Sequence, residues 1–544
     1  MRGGVLVVLG GVVVVLGALT HVAHADSALD KPAFTATPSE LLAAAKKQPA
    51  GAADVFVLRE DKDISFDDRG RITTHWRMVF VVLSRAGADD WGQLGTTWQP
   101  SYQDKPKLRA RVIDPSGAVA DLDASRITDA PEWTTTVIPD VRHRIESPLP
   151  RLQVGSVVEE QLDWTDREPL LGGSATETYV FTHSVPVVSA RLTISAPAKR
   201  KLHVVAKAVS VKPKAESRDG RQRLTYIAGP LAALDEHEGS LPPDAAYGGF
   251  VAVSIADSWR SVAHDYRTLI DKRIAEGAVA FPADVPKTAT QETVGALVGW
   301  LHKNVRNDDV PFNAASMIPA TPAETLKRGA GDAKDKATLL VSLLRQAGIT
   351  AELALFNSGP GIDIDHEMVA LDAFDDVMVR ARLGGKDLWI DPTSSASRPG
   401  QLPGSDRNRL TLVIADSTTA LVSSPAEVAS DNTSRELRTY EVAEQGAAKI
   451  TELSRTTGSL EVTERAWFRD ASPDNVRKNL GDYVDDRYQG ATLDTYSMSD
   501  VFDFSKPFEL TVKASGSGRA FSKRMRADVY LFPTDVLSHL PDEL

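Results

Sequence analysis

The stretch from Thr321 to Gly348, TPAETLKRGAGDAKDKATLLVSLLRQAG, constrains the fold of this chain more than any other. Thr321-Pro322 opens a turn, a short helical run follows over Ala323 to Lys327, and Gly329 and Gly331 break it. Asp332 then caps a second helix, because its carboxylate accepts from the free N–H groups of the first turn. Leu339, Leu340, Leu343, Leu344 and Ala347 recur at helical spacing and form a core-facing stripe. Gly348 closes the helix, since glycine takes the left-handed position after a helix at little cost. Ala333 occupies the first helical position, where backbone N–H groups and the helix dipole converge. That field stabilises a thiolate, so a catalytic cysteine is expected there. The chain has alanine instead, and no cysteine anywhere.

GDAKDKATLLVSLLRQAGI resembles the nucleophile segment of bacterial transglutaminase-like proteins, G-D-C-x-D-x-A-x-L-L-x-x-L-L-x-x-x-G. The matching residues are Gly331, Asp332, Asp335, Ala337, Leu339, Leu340, Leu343, Leu344 and Gly348, with Ala333 in the cysteine's place. Downstream, FDDVMVRA from Phe374 resembles the segment that carries the family's catalytic histidine, and Asp376 stands at that position. LWIDPTS from Leu388 resembles the segment with the third triad member, and Asp391 is present. The resemblance implies acyl transfer or peptide cleavage through a thioester, on a papain-like α+β core, and this chain keeps only the aspartate of the Cys-His-Asp triad. Loss of the nucleophile or base of such a triad costs on the order of 10⁶-fold in turnover. A base such as Asp376 has no nucleophile to activate. The domain is therefore read as a transglutaminase-like cleft without the parent chemistry.

The length of 544 residues accommodates two to four domains. Met1 to Ala25 reads as an export signal, with Arg2, an apolar run from Val5 to Leu19 and an Ala23-His24-Ala25 cleavage site. The mature chain is then expected to be periplasmic or secreted, without disulfides and without a membrane span. Residues 26–54 read as a leader in which Ser39 caps a short helix, Glu40 to Lys47. Residues 55–250 are strand-rich, with alternation over Thr73 to Leu83, Lys107 to Ile113 and Val157 to Trp164. They predict a β-sandwich-like domain or a curved antiparallel sheet, and they resemble the uncharacterised β-rich domain that precedes transglutaminase-like domains in exported bacterial proteins. Residues 255–405 form the central domain, led by amphipathic helices over Ser258 to Glu276 and Thr288 to Val305. Asn357 to Asp372 reads as an exposed loop near the cleft mouth. Residues 406–544 return to strands, among them Leu460 to Phe468, with a helix from Asp474 to Tyr488 and a polar tail, Pro541 to Leu544.

A net charge of −12 argues against nucleic acid as the main partner. The runs Asp235-Glu236-His237-Glu238 and Asp363, Asp365, His366, Glu367 carry metal-ligand types, but adjacent residues point in different directions, and both read as solvated loops. His366 lies well before the matching histidine position. No metal and no cofactor are expected. Asp332, Asp335, Asp376 and Asp391 form the candidate binding cleft, with Ala333 facing Asp376 and Asp391. Crowded carboxylates repel, so one holds a proton or binds a cation, or the pair serves as acid and base, for instance on a glycan; the bland alternative keeps Asp332 as a cap and Asp391 as a turn residue. The sequence thus points to an exported binding or scaffold module of the cell envelope that takes a peptide, a polysaccharide or an envelope protein. The alternative is an enzyme of altered chemistry working through its carboxylates.

Overall fold

The computed structural model describes residues 28–47, 53–134, 138–171, 173–234, 248–358 and 363–530. The expected export signal, the Asp235–Glu238 run, the Gly359-Pro360-Gly361 turn and the tail from Pro541 lie outside them. The described chain has an N-terminal β domain, a central α+β domain and a C-terminal β domain.

Alternating β-branched and aromatic residues build an eight-stranded sheet in the N-terminal domain. Its order is Lys214–Arg218, Arg221–Ala228, Ala190–Pro197, Val55–Phe66, Ile72–Val82, Val157–Thr165, Lys107–Ile113, Val119–Asp121. Neighbours run antiparallel except Val55–Phe66 and Ala190–Pro197, which are parallel from Glu60 opposite Ala190 to Ser65 opposite Ser195. The sheet is therefore mixed, where alternation alone predicts an antiparallel one. A parallel pair needs a long crossover, which here is most of the intervening domain. The leader is part of this domain. Thr37, and not Ser39, caps helix α1 (Pro38–Ala45), accepting from Glu40 N–H while Glu40 accepts from Thr37 N–H at 2.8 Å. Leu41 and Ala45 pack on Phe56, Leu58, Val79 and Val81. A short helix α2 (Arg85–Asp90) follows the second strand.

The central domain sets helices α3 (Trp259–Glu276), α4 (Gln291–Asn304), α5 (Pro322–Arg328) and α6 (Ala333–Gln346) beside an antiparallel sheet. The sheet order is Lys386–Ile390, Asp376–Leu383, Thr350–Phe356, Leu410–Val413, Val422–Ser423, so two of its strands come from beyond residue 406. Residues Ala333 to Leu344 of α6 are buried without exception, which makes it the central helix. One apolar core runs from Val55 and Phe80 through Val251 and Trp259 to Leu339, Val377 and Ile414, joining the first two domains.

The C-terminal sheet has the order Ser434–Glu441, Gly446–Thr456, Phe508–Lys523, Thr492–Met498, with helices α7 (Ser459–Asp470) and α8 (Pro473–Arg487) packed on it. Alternation predicts a strand over Leu460 to Phe468, and the structure corrects this to α7. The buried set Glu461, Arg465 and Phe468 has helical spacing, and the Glu461–Arg465 ion pair at 2.9 Å spans one turn. This domain sits against α4 through the loop at Phe502 and Phe504. A Cβ on Gly295 would meet Phe504 backbone at 2.7 Å, and one on Gly299 would lie 2.3 Å from Phe502 O, so both positions need glycine's missing side chain.

Candidate functional site in the central domain

The site is built on the junction of α5 and α6. Thr321 caps α5 with Glu324 in a reciprocal box, and Gly329 leaves the helix at φ 61°. Asp332 accepts from Asp335 N–H at 3.1 Å and starts α6. Ala333 then presents its methyl group to a cavity of about 190 Å³ lined also by Asp308, Asp309, Ser358, Asp375, Asp376 and Thr393.

Asp376 begins the strand Asp376–Leu383, and Asp391 follows the adjacent strand Lys386–Ile390, so antiparallel pairing brings the two carboxyls to one end of the sheet. Asp376 Oδ1 accepts from Val377 N–H at 2.7 Å. Burial pushes its carboxyl well above the usual range, and the charge of Asp391 adds to the push. Asp391 is also raised by burial, opposed by the N–H and hydroxyl of Thr393, each at 2.7 Å, and by Lys336. Two carboxyls in this position cannot both ionise freely, so protons are retained.

The structure separates the other two predicted residues from this pair. Asp332 pairs with Lys334. Burial still holds its carboxyl up at about 6. Asp335 accepts from Arg328 at 2.6 Å and from Ala320 N–H at 2.7 Å. Asp335 and Lys334 line a different cavity, of about 630 Å³, with Ile138, Arg273 and Ile318. Asp332 and Asp335 therefore hold the start of α6 in place and do not share the Ala333 cavity. This departs from a four-carboxylate cleft, and the reason is directional. Successive residues of a helix turn by about 100°, so Ala333 and Asp335 face different sides.

Three residues near the pair are not evident from sequence. Asp406, at the end of the turn Gly404–Asp406, is 3% exposed, and burial followed by Asp391 pushes it up to about 7. Lys336 is 1% exposed. Burial pulls it down to about 8, while Asp391 and Asp309 hold it up. Its Nζ lies 3.5 Å from His302 Nδ1, and burial with the Lys336 charge lowers His302 to about 3, which keeps this imidazole neutral. The signal for Lys336 was its place one turn after Ala333 in a helix otherwise reading as core.

Of the loop expected to be exposed at the cleft mouth, His366 and Glu367 are exposed, and much of the rest of its described part is not. Ile364 and the run Met368 to Leu371 are buried. Its His366 carbonyl accepts from Trp259 Nε1 at 2.9 Å, and Asp365 pairs with Lys207 of the N-terminal domain at 2.8 Å. His366 does not line the Ala333 cavity. Asp363 accepts from Leu410 N–H at 2.9 Å, so it too is a structural residue.

Residues 68–235 match the family model DUF3857, a domain of unknown function with a solved structure, and residues 278–368 match the transglutaminase-like superfamily. The central domain is transglutaminase-like. The fold of the whole chain is similar to a crystal structure from Parabacteroides distasonis ATCC 8503 described as a "putative protease", with 13% identity, 86% of this chain and 94% of that chain covered, and a TM-score of 0.55. At that identity the likeness shows the fold alone. The M1 zinc metallopeptidase from Deinococcus radiodurans is matched at 13% identity over 54% of this chain and 64% of that chain, but its TM-score of 0.20 carries no argument. No curated protein matches the chain in sequence. Among the described residues, no helix is long and apolar enough to cross a membrane.

Proposed function

We propose that the protein is an exported, non-catalytic transglutaminase-like protein that serves as a binding or scaffold module in the cell envelope. The observation that carries this reading is the pairing of Ala333 with Asp376 across one cavity. A methyl group stands where the thioester chemistry needs a thiol, and a carboxyl stands where it needs an imidazole. The neighbouring imidazole, His302, is half-buried and kept neutral beside Lys336. The cavity, about 190 Å³, is below the usual range of about 300–1,000 Å³ for a small-molecule site. That size favours a scaffold role, or capture of a single side chain from a peptide or envelope protein, over a polysaccharide.

A second reading rests on the Asp376–Asp391 pair. Buried carboxyls that share protons supply an acid and a base, and an enzyme of altered chemistry would use them for acyl transfer or for peptide or glycan hydrolysis. One experiment separates the two readings: amine incorporation and peptide hydrolysis by the purified protein, beside the Ala333→Cys/Asp376→His variant. The non-catalytic reading expects an inert parent. Turnover by the parent that is abolished in Asp391→Ala overturns it in favour of the carboxylates.

A further inference from the structure

Residues 365–372, between strands Thr350–Phe356 and Asp376–Leu383, are held by the N-terminal domain. Lys207 pairs with Asp365 at 2.8 Å, Ser254 Oγ donates to Val369 O at 2.6 Å, and Leu371 N–H donates to Ser174 O at 2.8 Å. Asp372 ends the run. Its carboxyl oxygens accept from Thr176 N–H at 2.8 and 3.0 Å and from Thr176 Oγ1 at 3.0 Å. Three residues later the chain is part of the candidate site. Asp375 Oδ1 accepts from Ser358 N–H at 2.7 Å, its carbonyl accepts from Phe312 N–H at 2.7 Å, and Asp375 and Asp376 line the cavity opposite Ala333. Wall and strap are thus one continuous piece of backbone.

We propose that the Asp372–Thr176 contact is a proton-sensitive latch through which the N-terminal β domain sets the position of the cleft wall at Asp375 and Asp376. This goes beyond the binding or scaffold reading and does not depend on it. The groups that face Asp372 are Glu177 at the start of its strand, Asp166 after the strand Val157–Thr165, and the buried Tyr102 hydroxyl. Of the cations around this cluster, Lys62 is held by Glu177 itself at 2.8 Å and by Thr178 O at 3.0 Å, and Arg142 is held outside it by Glu132 at 2.5 Å. Burial pushes Asp372 up to about 7, with Glu177 and Asp166 adding to the push against the Thr176 hydrogen bonds. Asp166, which accepts from Ile72 N–H and Gln103 Nε2, is itself raised by burial to about 6. A protonated Asp372 still accepts from Thr176 through its carbonyl oxygen. An ionised one sets a buried negative charge beside two others.

The sign follows from linkage. The latched state keeps a proton that an exposed carboxyl loses near its usual value, so the latch is fully favoured at acid pH. The opening equilibrium then grows by about tenfold per pH unit between about 4 and about 7, and levels off above that.

The test is backbone amide exchange on the purified protein from pH 5 to 9, corrected for intrinsic rates, read in peptides covering residues 170–181 and 363–376. The expected result is that both peptides lose protection together, by about 50-fold between pH 5 and pH 7. Asp372→Asn keeps an acceptor for Thr176 but cannot charge, so it should keep at pH 8 the protection that the parent has at pH 5. Protection in the parent that does not change with pH, or a pH dependence that survives Asp372→Asn, overturns the latch. If that variant does not fold, Asp166→Asn decides. It removes one repelling charge and so eases ionisation of the latched Asp372: the loss of protection must level off at lower pH and be smaller at pH 8 than in the parent, and an unchanged profile overturns the proposal.

Discussion

Arg398 Nε lies 2.9 Å from both carboxylate oxygens of Glu461, and this pair joins the transglutaminase-like domain to the C-terminal β domain. Glu461 is fully buried and also accepts from Gln401 Nε2 at 3.1 Å, Arg465 Nε at 2.9 Å and Phe508 N–H at 3.0 Å. The Arg465 guanidinium donates onward to the carbonyls of Val501, Asp503 and Lys506. Arg398, Gln401, Arg465 and the Phe508 N–H therefore all rely on one carboxylate.

Glu461→Ala should cost about 3–5 kcal/mol, because it leaves two buried guanidinium groups without their counter-charge. The measurement is the urea midpoint. Glu461→Gln, which keeps an acceptor but loses the charge, should fall between Ala and the parent.

Gly299→Ala should loosen the same junction from the other side. The new methyl would lie 2.3 Å from the Phe502 carbonyl, which is backbone and cannot turn aside. The expected cost is about 1–3 kcal/mol, with faster amide exchange around Phe502 to Phe504 and unchanged exchange in the N-terminal sheet.

Glu160 provides a pH test of the N-terminal domain. It is fully buried in the strand Val157–Thr165, and burial, then Glu60, pushes its carboxyl up to about 8 from the usual 4.5. The folded state thus binds a proton that the unfolded state has lost. Its contribution to stability is complete below about 4.5 and declines as pH rises to about 8. The advantage of Glu160→Gln over the parent should therefore grow by roughly 1.4 kcal/mol per pH unit across that window. Urea midpoints at pH 5, 7 and 9 measure it.

Lys336→Met should become more costly as pH rises, because it leaves Asp391, once ionised, without the charge that opposes its burial. Thermal unfolding of the variant and the parent across a pH series reads the difference.

Much of the transglutaminase-like domain was legible because its signals are local. Asp332 caps α6, Gly348 takes a positive φ of 79°, and the leucine stripe is fully buried, each from chemistry within a few residues. The placement of Asp376 and Asp391 was legible for a similar reason, since two adjacent antiparallel strands fix which residues meet. The helix at Ser459–Asp470 was not, because a buried charged pair interrupts the apolar pattern that period counting relies on.

The sequence by itself determined that Ala333 and Asp376 stand in segments that resemble those carrying the family's thiol and imidazole, because residue identity is a covalent fact. Only the tertiary structure decided which aspartates stand together. Asp332 and Asp335 turned away with the helix, Lys336 came in from a position the motif leaves open, Asp406 came in from outside it, and Asp372 reached across to Thr176 in another domain. Those outcomes depend on which surfaces pack against one another over distances of up to 196 residues along the chain, and burial in that packing then shifts which carboxyls keep their protons.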